Sequence, residues 1–384
     1  MRRFLLVLTF VLALPLAAIE PTVITIESKV LGETRTILVR TPASYAAGGA
    51  RYPVLYLTDG DRQLEHTAAT MDFLAREGRM PEAIAVGILN TDRTRDLTPT
   101  HVEESMFGTQ RFRAPTSGGA GKFLQFLETE VIPLVESRYR TLPYRVFAGH
   151  SFGGLFAMHV FASKPKLFNA VLAVSPTLTW DNHYVLRSMT ELVKSNKELN
   201  RTLVVTVGNE GPELDRELAA LRTLLEKSAP KGLEWTLQSF ADEDHGSVVM
   251  PSHYLGLRKI FAPWRFALDP AADPRTVYPR AKAHYAALTE RAGYTIAIPE
   301  ATANRIGYSL LQAGHHAEAI AVFKANSEAY PDSPNVYDSL GESYEHAGDT
   351  DRARESYERA WTKGKERNDP NTEVFKRNLD RLTK

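Results

Sequence analysis

Residues 145–163 read RVFAGHSFGGLFAMHVFAS: a short apolar run, a glycine-rich turn and then a helical pattern. The turn holds Gly149-His150-Ser151-Phe152-Gly153, a G-x-S-x-G sequence. Glycines on both sides of the serine allow a sharp strand-to-helix turn, because side chains there would collide with neighbouring backbone. The stretch therefore predicts a turn that lifts the Ser151 hydroxyl above a sheet, with a helix N-terminus aimed at it. An ordinary N-cap serine is the alternative.

Strand patterns alternate with helical patterns on both sides of this turn. The first two strands are alternating and β-rich, and apolar runs typical of buried strands follow them. The predicted strands are Thr22–Ser28, Thr36–Arg40, Tyr52–Thr58, Ala83–Leu89, Arg145–Gly149, Ala170–Val174, Leu203–Val207 and Leu233–Phe240. The predicted helices between them are Leu64–Glu77, Gly121–Tyr139, Phe152–Ser163 and Glu213–Lys227. This alternation predicts an α/β fold with a mainly parallel central sheet and helices on both faces. The first strands have short connections and predict an antiparallel edge.

The composition is that of an ordinary globular protein. The chain has 384 residues, 43% apolar and 24% charged, enough for about two or three domains. The 46 Lys and Arg balance the 46 Asp and Glu, whereas a nucleic-acid-binding protein would normally carry a basic surplus. The absence of cysteine excludes disulfides, a thiol nucleophile and cysteine-ligated zinc. We therefore expect no nucleic-acid partner. We also expect any catalysis to depend on side chains other than cysteine.

A serine hydroxyl becomes a nucleophile only beside a base, so a histidine must come within hydrogen-bond reach of Ser151. Enzymes with such a turn carry their partners in the chain order serine, acid, histidine. Between the helix after the turn and the helical tail lie His183, His245 and His253. We predict His245 as the base, because it follows the last strand pattern at the carboxyl edge of the sheet. His183 is a candidate for the pocket wall, and His253 is predicted to be solvated or to cap the closing helix.

Glu210 is the predicted acid, because Gly208-Asn209-Glu210 ends the strand LVVTV and a carboxylate there can accept from the histidine ring. Glu213 and Asp215 better fit the first turn of the next helix, where they complement its dipole. A serine–histidine dyad without an acid remains the alternative.

Two backbone N–H groups are needed to hold an oxyanion beside the serine. One is predicted at Phe152, directly after the nucleophile. The other is predicted in the loop after YPVLYLT, at Asp61 or Gly60, where the glycine allows a tight turn.

The tail carries a repeat of tetratricopeptide length. Gly307 and Gly341 are 34 residues apart, as are Phe323 and Tyr357. Small residues allow paired helices to approach, and the aromatic side chains fill the space between them. Two copies are fewer than a free-standing array needs, so we expect this all-α module to lean on the main domain. A generic helical hairpin is the alternative.

The N-terminus is typical of a signal peptide. Met1-Arg2-Arg3 is followed by the uncharged apolar residues 4–16 and by Ala17-Ala18. A run of about 13 apolar residues is short for a membrane span but suits a signal sequence with a small-residue cleavage site. We expect cleavage near Ala18, no stable membrane span, and a periplasmic or secreted protein. An uncleaved anchor or a buried helix is the alternative.

Taken together, these segments resemble the esterase D-like, enterochelin esterase-like branch of the α/β-hydrolase superfamily, which includes siderophore trilactone esterases and S-formylglutathione hydrolases. The resemblance covers roughly residues 22–264, and a subset of such hydrolases carries a tetratricopeptide-like extension similar to this tail. The segments that carry it are YPVLYLTDGD (52–61), NTDRTRDLTP (90–99), FLETEVIPLVESRYRT (126–141), GHSFGGLF (149–156), SPTLTWDN (175–182) and ADEDHGSV (241–248).

The resemblance implies hydrolysis of a small-molecule carboxylic ester, such as a siderophore or an acylated sugar, through an acyl-enzyme without metal or cofactor. It makes Arg93 and Trp180 candidates for substrate contact, since their segments flank the site in this branch. Arg93 could hold an acidic or catecholate group, with a surface salt bridge as the alternative, and the alternative for Trp180 is a core position. His150, beside the nucleophile, is a third candidate. The predicted division is a signal peptide at 1–18, an α/β-hydrolase domain at 19–265 and a tetratricopeptide-like module at 266–384.

Two other functions fit the same residues. An acyltransferase would form the same acyl-enzyme and pass the acyl group to an alcohol instead of water. A non-catalytic protein would keep a vestigial hydrolase domain and use its tail to bind a protein partner or a second copy of itself. The serine, histidine and acid together favour the hydrolase.

Overall fold

The computed structural model describes residues 20–107, 110–269 and 271–382. The predicted signal peptide, residues 1–18, lies outside them. Within these ranges, no helix has the length and apolar character needed to cross a bilayer.

The α/β part is built on one large sheet and a small hairpin. The strands are β1 (Thr22–Ser28), β2 (Glu33–Arg40), β3 (Tyr52–Leu57), β4 (Ile84–Ile88), β5 (Glu104–Phe107), β6 (Gln110–Arg113), β7 (Thr141–His150), β8 (Ala170–Val174), β9 (Thr202–Val207) and β10 (Glu234–Ser239). The sheet has the order β1-β2-β4-β3-β7-β8-β9-β10, and β5 pairs with β6 alone. Strands β1, β2 and β4 are joined antiparallel, and every other pairing in the sheet is parallel. The predicted parallel sheet with an antiparallel edge is confirmed.

Helices cover both faces of the sheet and then continue into the tail. They are α1 (Gly60–Arg76), α2 (Arg93–Leu97), α3 (Ala120–Phe126), α4 (Ile132–Arg138), α5 (Phe152–Ser163), α6 (Trp180–Ser195), α7 (Pro212–Ser228), α8 (Val249–Ile260), α9 (Pro274–Ala292), α10 (Glu300–Gln312), α11 (His316–Ala329), α12 (Pro334–His346), α13 (Thr350–Arg367) and α14 (Thr372–Leu382). A π-helical turn at Leu127–Val131 joins α3 to α4.

The two faces of the sheet bury separate apolar cores. Phe123 of α3, Phe156 of α5 and Val185 of α6 pack on one face. Leu64 of α1 and Leu257 of α8 pack on the other. Strand residues between these layers are buried on both sides, which is why their sequences read as continuous apolar runs. This three-layer packing holds the carboxyl ends of the parallel strands at one edge.

The sequence patterns missed three elements near that edge. Helix α2 has only five residues, and its RTRDL sequence lacks an apolar stripe. In helix α6, the residues after Trp180 (Asp181, Asn182 and His183) have positive φ, so the sequence shows no regular helical pattern at the start of this helix. The β5–β6 hairpin has four residues in each strand and pairs with no other strand.

The tail consists of packed helices, and the predicted repeat accounts for their closest approaches. An added Cβ at Gly307 of α10 would lie 2.5 Å from the Phe323 ring of α11. An added Cβ at Gly341 of α12 would lie 2.7 Å from the Tyr357 ring of α13. In each copy, therefore, an aromatic ring from the second helix occupies the place of a side chain on the first.

The tail leans on the sheet through the end of α9. Arg291 donates to the Gly232 and Arg201 carbonyls, at 3.2 and 3.1 Å, beside the starts of β9 and β10. Asn169 donates to the Ala292 carbonyl at 3.4 Å. These contacts lie at the amino ends of the parallel strands, which leaves the opposite edge to the residues discussed next.

Candidate active site

The turn after β7 has the strained backbone that the G-x-S-x-G sequence predicts. Ser151 has φ of +61° and ψ of −116°, and its N–H donates to the Val174 carbonyl at 2.9 Å. An added Cβ at Gly149 would lie 2.2 Å from the Gly153 carbonyl oxygen. This approach is possible only because residue 149 has no side chain. The turn thus places the Ser151 hydroxyl at the carboxyl edge of the sheet.

We expect Gly149→Ala to lower the free energy of unfolding by about 1–3 kcal/mol, because the new methyl group must push two backbone segments apart. Urea unfolding followed by circular dichroism measures this change. Gly121→Ala is the matched control: the new Cβ in α3 meets nothing within 4 Å. Alanine there should be neutral or stabilise by up to about 1 kcal/mol. Equal stability of Gly149→Ala and the wild type would contradict the close approach.

Ser151, His245 and Glu210 form one continuous chain of contacts. The His245 Nε2 atom lies 3.0 Å from Ser151 Oγ, and its Nδ1 atom lies 2.5 Å from Glu210 Oε2. A carboxylate only accepts, so Nδ1 carries the proton and the Nε2 lone pair faces the hydroxyl. The side chains of His245 and Glu210 are 26% and 13% exposed, so the chain sits just below the surface. This is the geometry in which an imidazole can remove a serine proton.

Glu210 is held as a carboxylate by its neighbours. Burial alone would raise its pKa, but hydrogen bonds from His245, Ser175 and the Gly208 N–H together lower the pKa below the usual value. The Gly208 N–H donates to Glu210 Oε1 at 3.2 Å. The loops that carry the acid and the base are also joined directly, since the Asn209 N–H donates to the Glu243 carbonyl at 2.6 Å.

Ser175 was not singled out from the sequence. It directly follows β8, is buried, and takes a φ of +40°. Its position next to the nucleophile strand, at the same carboxyl edge, is the signal that could have identified it.

His150, a predicted substrate contact, instead holds the loop that carries His245. Its Nε2–H donates to the His245 carbonyl at 2.6 Å, and the two rings lie 4.8 Å apart. Burial, and then the nearby His245 ring, lower the pKa of His150 to about 4. His150 is therefore a neutral donor at neutral pH and fixes the backbone of its neighbour.

Arg93, a predicted substrate contact, is bound to an acid of the protein. Its Nε and Nη2 atoms donate to the two oxygens of Asp59, at 2.7 and 3.1 Å, and Nη2 also donates to the His150 carbonyl at 3.1 Å. Asn90 donates to the same carboxylate at 2.6 Å. Asp59 ends the β3 loop, so Arg93 ties that loop to the turn bearing the serine. The sequence had indicated only a turn at this aspartate.

The predicted oxyanion donors lie at two helix starts that face this edge. Gly60 and Asp61 are the first residues of α1, and Phe152 is the first residue of α5. N–H groups in the first turn of a helix have no partner within that helix. The first backbone hydrogen bond at the start of α1 comes from the Arg62 N–H, which donates to the Asp59 carbonyl at 2.9 Å.

Aromatic rings form a wall beside the serine. The Phe152 ring lies 6.0 Å from Phe112 of the β5–β6 hairpin and 5.4 Å from Trp180. The Arg93 guanidinium lies 5.5 Å from the centre of the Phe152 ring. Trp180, predicted to contact substrate, is fully buried and donates to Thr100 Oγ1 at 3.0 Å. It therefore packs against the Phe152 ring from the protein interior.

The two other histidine candidates are elsewhere. His183 pairs with Glu217 at 2.8 Å and its side chain is 48% exposed. The prediction that His253 is solvated or caps a helix is wrong: it lies within α8, is buried, and its Nδ1 atom lies 2.8 Å from Thr67 Oγ1. The apolar face of α8 packs against the sheet and α1, and this packing encloses the ring.

Three histidines, of which His159 and His253 are buried and His150 is half-buried, make the fold sensitive to acid. Burial lowers the pKa of His150 and His159 to about 4 and that of His253 to about 3. Unfolding returns each to about 6.5, so below that pH the unfolded chain binds more protons and stability falls as pH falls. We expect the free energy of unfolding to be about 4 kcal/mol lower at pH 5.5 than at pH 7.5. Urea unfolding at the two pH values measures this difference.

A single substitution checks the source of that pH dependence. His159 Nδ1 lies 2.8 Å from the Tyr184 hydroxyl, and asparagine keeps an acceptor there. His159→Asn should remove about one third of the difference between the two pH values. A stability that stays constant between pH 7.5 and 5.5 would contradict the burial of these rings as neutral groups.

Known proteins similar to this chain include esterases. The family model described as "Putative esterase" matches residues 28–246, and a tetratricopeptide-repeat model matches residues 337–363. The chain is 31% identical over 245 residues to the ferri-bacillibactin esterase BesA of Bacillus subtilis, covering 58% of this chain and 80% of that protein. It is 35% identical over 160 residues to a siderophore enterobactin esterase of Emericella nidulans, covering 36% of this chain and 51% of that protein.

A solved structure extends this similarity to the fold. The crystal structure of an IroE-like serine hydrolase from Shewanella oneidensis aligns with a TM-score of 0.68 and 30% identity. The alignment covers 80% of this chain and 98% of that one. The α/β-hydrolase fold and the tetratricopeptide-like tail predicted from the sequence are therefore confirmed. The chain belongs to this esterase family and is a carboxylic ester hydrolase.

Proposed function

We propose that the protein is a serine esterase that cleaves the ester bonds of a siderophore through an acyl-enzyme. The observation that carries the proposal is the contact chain from Ser151 Oγ through His245 to Glu210, with distances of 3.0 and 2.5 Å. In it the serine has a base, and the base has a partner that selects its tautomer.

In the first step, Ser151 Oγ attacks the ester carbonyl while His245 Nε2 takes the hydroxyl proton. Glu210 stabilises the imidazolium that forms. The N–H groups of Phe152 and of the Gly60–Asp61 helix start hold the negative charge on the carbonyl oxygen. His245 then gives its proton to the departing alcohol oxygen, and the acyl group remains on the serine.

In the second step, a water molecule takes the place of the alcohol. His245 removes a proton from the water as it attacks the acyl carbon, and the same N–H groups hold the second oxyanion. The carbon–oxygen bond to Ser151 breaks, the serine recovers its proton from His245, and the carboxylic acid leaves.

The substrate class is inferred from the relatives and from the wall of the site. BesA and the Emericella nidulans protein are named as siderophore esterases. The aromatic wall at Phe112 and Phe152 offers ring faces on which a planar aromatic acyl group can stack. Arg93 lies over the Phe152 ring while its charge is paired with Asp59, so it supports the wall.

A panel of esters tests the proposal directly. We expect the wild type to hydrolyse a catecholate triester siderophore with a higher kcat/KM than an acetylated sugar; p-nitrophenyl acetate serves as an activated ester and a feruloyl sugar as a second aromatic acyl ester. The stacked aromatic contact favours the aromatic acyl group by about 0.5–1.5 kcal/mol, or several-fold. Product separation by liquid chromatography and mass spectrometry measures each rate.

The same panel separates the alternatives. Phe112→Leu should lower the preference for aromatic acyl groups while p-nitrophenyl acetate is still cleaved. Acyl products formed on an added alcohol, in place of the free acid, would instead support acyl transfer. Turnover of simple esters without any siderophore cleavage would contradict the substrate class but leave the esterase chemistry in place.

Two further properties are proposed from the sequence alone. The repeat in residues 337–363 supports binding of a protein partner or self-association through the tail. Residues 1–18 support export to the periplasm or the medium.

A further inference from the structure

A cavity of 710 Å³ lies between the sheet and the helical tail, on the side away from Ser151. Its lining includes Tyr52 and Leu142, near the starts of β3 and β7, whereas Ser151 follows the end of β7. Ser151 lies nine positions after Leu142 along β7, which corresponds to roughly 30 Å at about 3.3 Å per residue. The cavity is therefore separate from the candidate active site.

Aromatic side chains make up much of its wall. The lining includes Tyr52, Trp264, Phe266, Tyr285 and Tyr330. The tyrosine hydroxyls already have partners: Tyr52 pairs with Ser44 at 2.8 Å, Tyr285 donates to the Trp264 carbonyl at 3.1 Å, and Tyr330 donates to the Ile298 carbonyl at 2.9 Å. Tyr52 and Tyr285 are buried, so the rings that offer apolar surface to a flat ligand are the half-buried Trp264, Phe266 and Tyr330.

Four arginines of the same lining have no carboxylate partner among the described residues, and one of them, Arg51, donates to the Thr141 carbonyl at 3.3 Å. Arg79, from the loop after α1, Arg265, after α8, and Arg305, on α10, form no ion pair within the ranges that the structure describes. They come from three separate segments that all line this cavity. Arginines that collect without acids provide charge-assisted hydrogen bonds to an anion.

The carboxylates of the lining are already engaged. Glu82 accepts from Ser44 Oγ at 2.5 Å, and Glu300 accepts from Ser333 Oγ at 3.0 Å. Glu77 lies 3.8 Å from the Arg76 Nε atom. These hydrogen bonds do not neutralise the carboxylates, but the lining holds four arginines against three glutamates and so carries a net positive charge.

We propose that this cavity binds a planar aromatic anion, meaning a ring that bears a carboxylate or sulfonate group. Its volume falls within the range of about 300–1,000 Å³ typical of small-molecule sites, which also favour the boundary between two domains. Rings from the sheet side and the tail side contact the flat body, and the three arginines contact the charged group. The ligand bridges the two parts of the chain.

Isothermal titration of the full chain with 2-naphthalenesulfonate tests the proposal. We expect saturable one-to-one binding, a rise in Tm with ligand concentration, and much weaker binding of uncharged 2-naphthol. The triple variant Arg79→Gln, Arg265→Gln, Arg305→Gln should bind 2-naphthalenesulfonate at least about tenfold more weakly. Should the triple variant fail to fold, Arg305→Gln alone must weaken binding, and wild-type affinity must fall with added salt.

Two controls locate the binding. The variant Arg258→Gln, Arg354→Gln, Arg377→Gln removes the same charge from exposed positions outside the cavity and should bind like the wild type. Ser151→Ala should also bind like the wild type, because the candidate active site is at the other edge. Absence of saturable binding to the wild type, unchanged affinity in the first triple variant, or lost affinity in Ser151→Ala would each overturn the proposal.

Discussion

Ser151→Ala is expected to lower kcat for ester hydrolysis by at least about 10³-fold. The substitution removes one oxygen atom, so the acyl-enzyme cannot form, while His245, Glu210 and the helix starts remain in place. The residual rate reflects binding and the N–H groups, which can still assist a direct attack by water. Steady-state hydrolysis of p-nitrophenyl butyrate, with a mass spectrum to exclude wild-type contamination, measures the loss.

A matched serine shows whether the loss is specific. Ser137 lies on the exposed side of α4 and donates to the Leu134 carbonyl at 2.8 Å. Ser137→Ala should keep wild-type kcat. A fluorophosphonate should label the wild type and Ser137→Ala on one residue and leave Ser151→Ala unlabelled. Turnover by Ser151→Ala at more than about a tenth of the wild-type rate would remove this serine from the mechanism.

The sequence was sufficient to predict the frame of this site. The strand patterns identified every strand of the main sheet: continuous apolar runs marked the strands buried on both faces, and alternating patterns marked the antiparallel edge. The order of serine, acid and histidine led to Ser151, Glu210 and His245, and the structure brings these three side chains into contact. Each follows a strand of the same parallel sheet, so chain position alone indicated a common edge.

The residues whose contacts position the site loops could not be predicted from the sequence. Asp59 and Arg93 are 34 positions apart, and their ion pair depends on how the loop after β3 faces the short helix α2. Helix α2 has no periodic signal, because its side chains form polar contacts instead of an apolar stripe. The prediction for His253 was wrong for a related reason. A histidine reads as polar in sequence, whereas its partner Thr67 comes from a helix 186 positions away.

Arg93 and His150 illustrate how the structure changes the meaning of a predicted residue. Both were expected to contact substrate, and both have protein partners at hydrogen-bond distance. Arg93 joins the loop at Asp59 to the His150 carbonyl, and His150 joins the turn to the His245 carbonyl. These contacts link the loops after β3, β7 and β10. The positions of the serine, the base and the helix starts are therefore coupled, although these loops are far apart in the chain.

Glu210→Gln is expected to lower kcat by about 10²- to 10⁴-fold while the fold is retained. The glutamine amide can donate to Nδ1, which would leave the His245 proton on Nε2 and its lone pair turned away from Ser151. The substitution also removes the negative charge that stabilises the imidazolium. The kcat for p-nitrophenyl butyrate measures the loss, and circular dichroism together with Tm checks the fold.

Glu213→Gln is the matched control, since this carboxylate lies in the first turn of α7, three residues from Glu210, and is exposed. It should keep wild-type kcat and lose at most about 1 kcal/mol of stability from the helix dipole. If Glu210→Gln keeps more than about a tenth of the wild-type kcat, the carboxylate only positions the loop and the chemistry belongs to a serine–histidine dyad. A loss of kcat that appears in Glu210→Gln and not in Glu213→Gln assigns the effect to the 2.5 Å contact with His245.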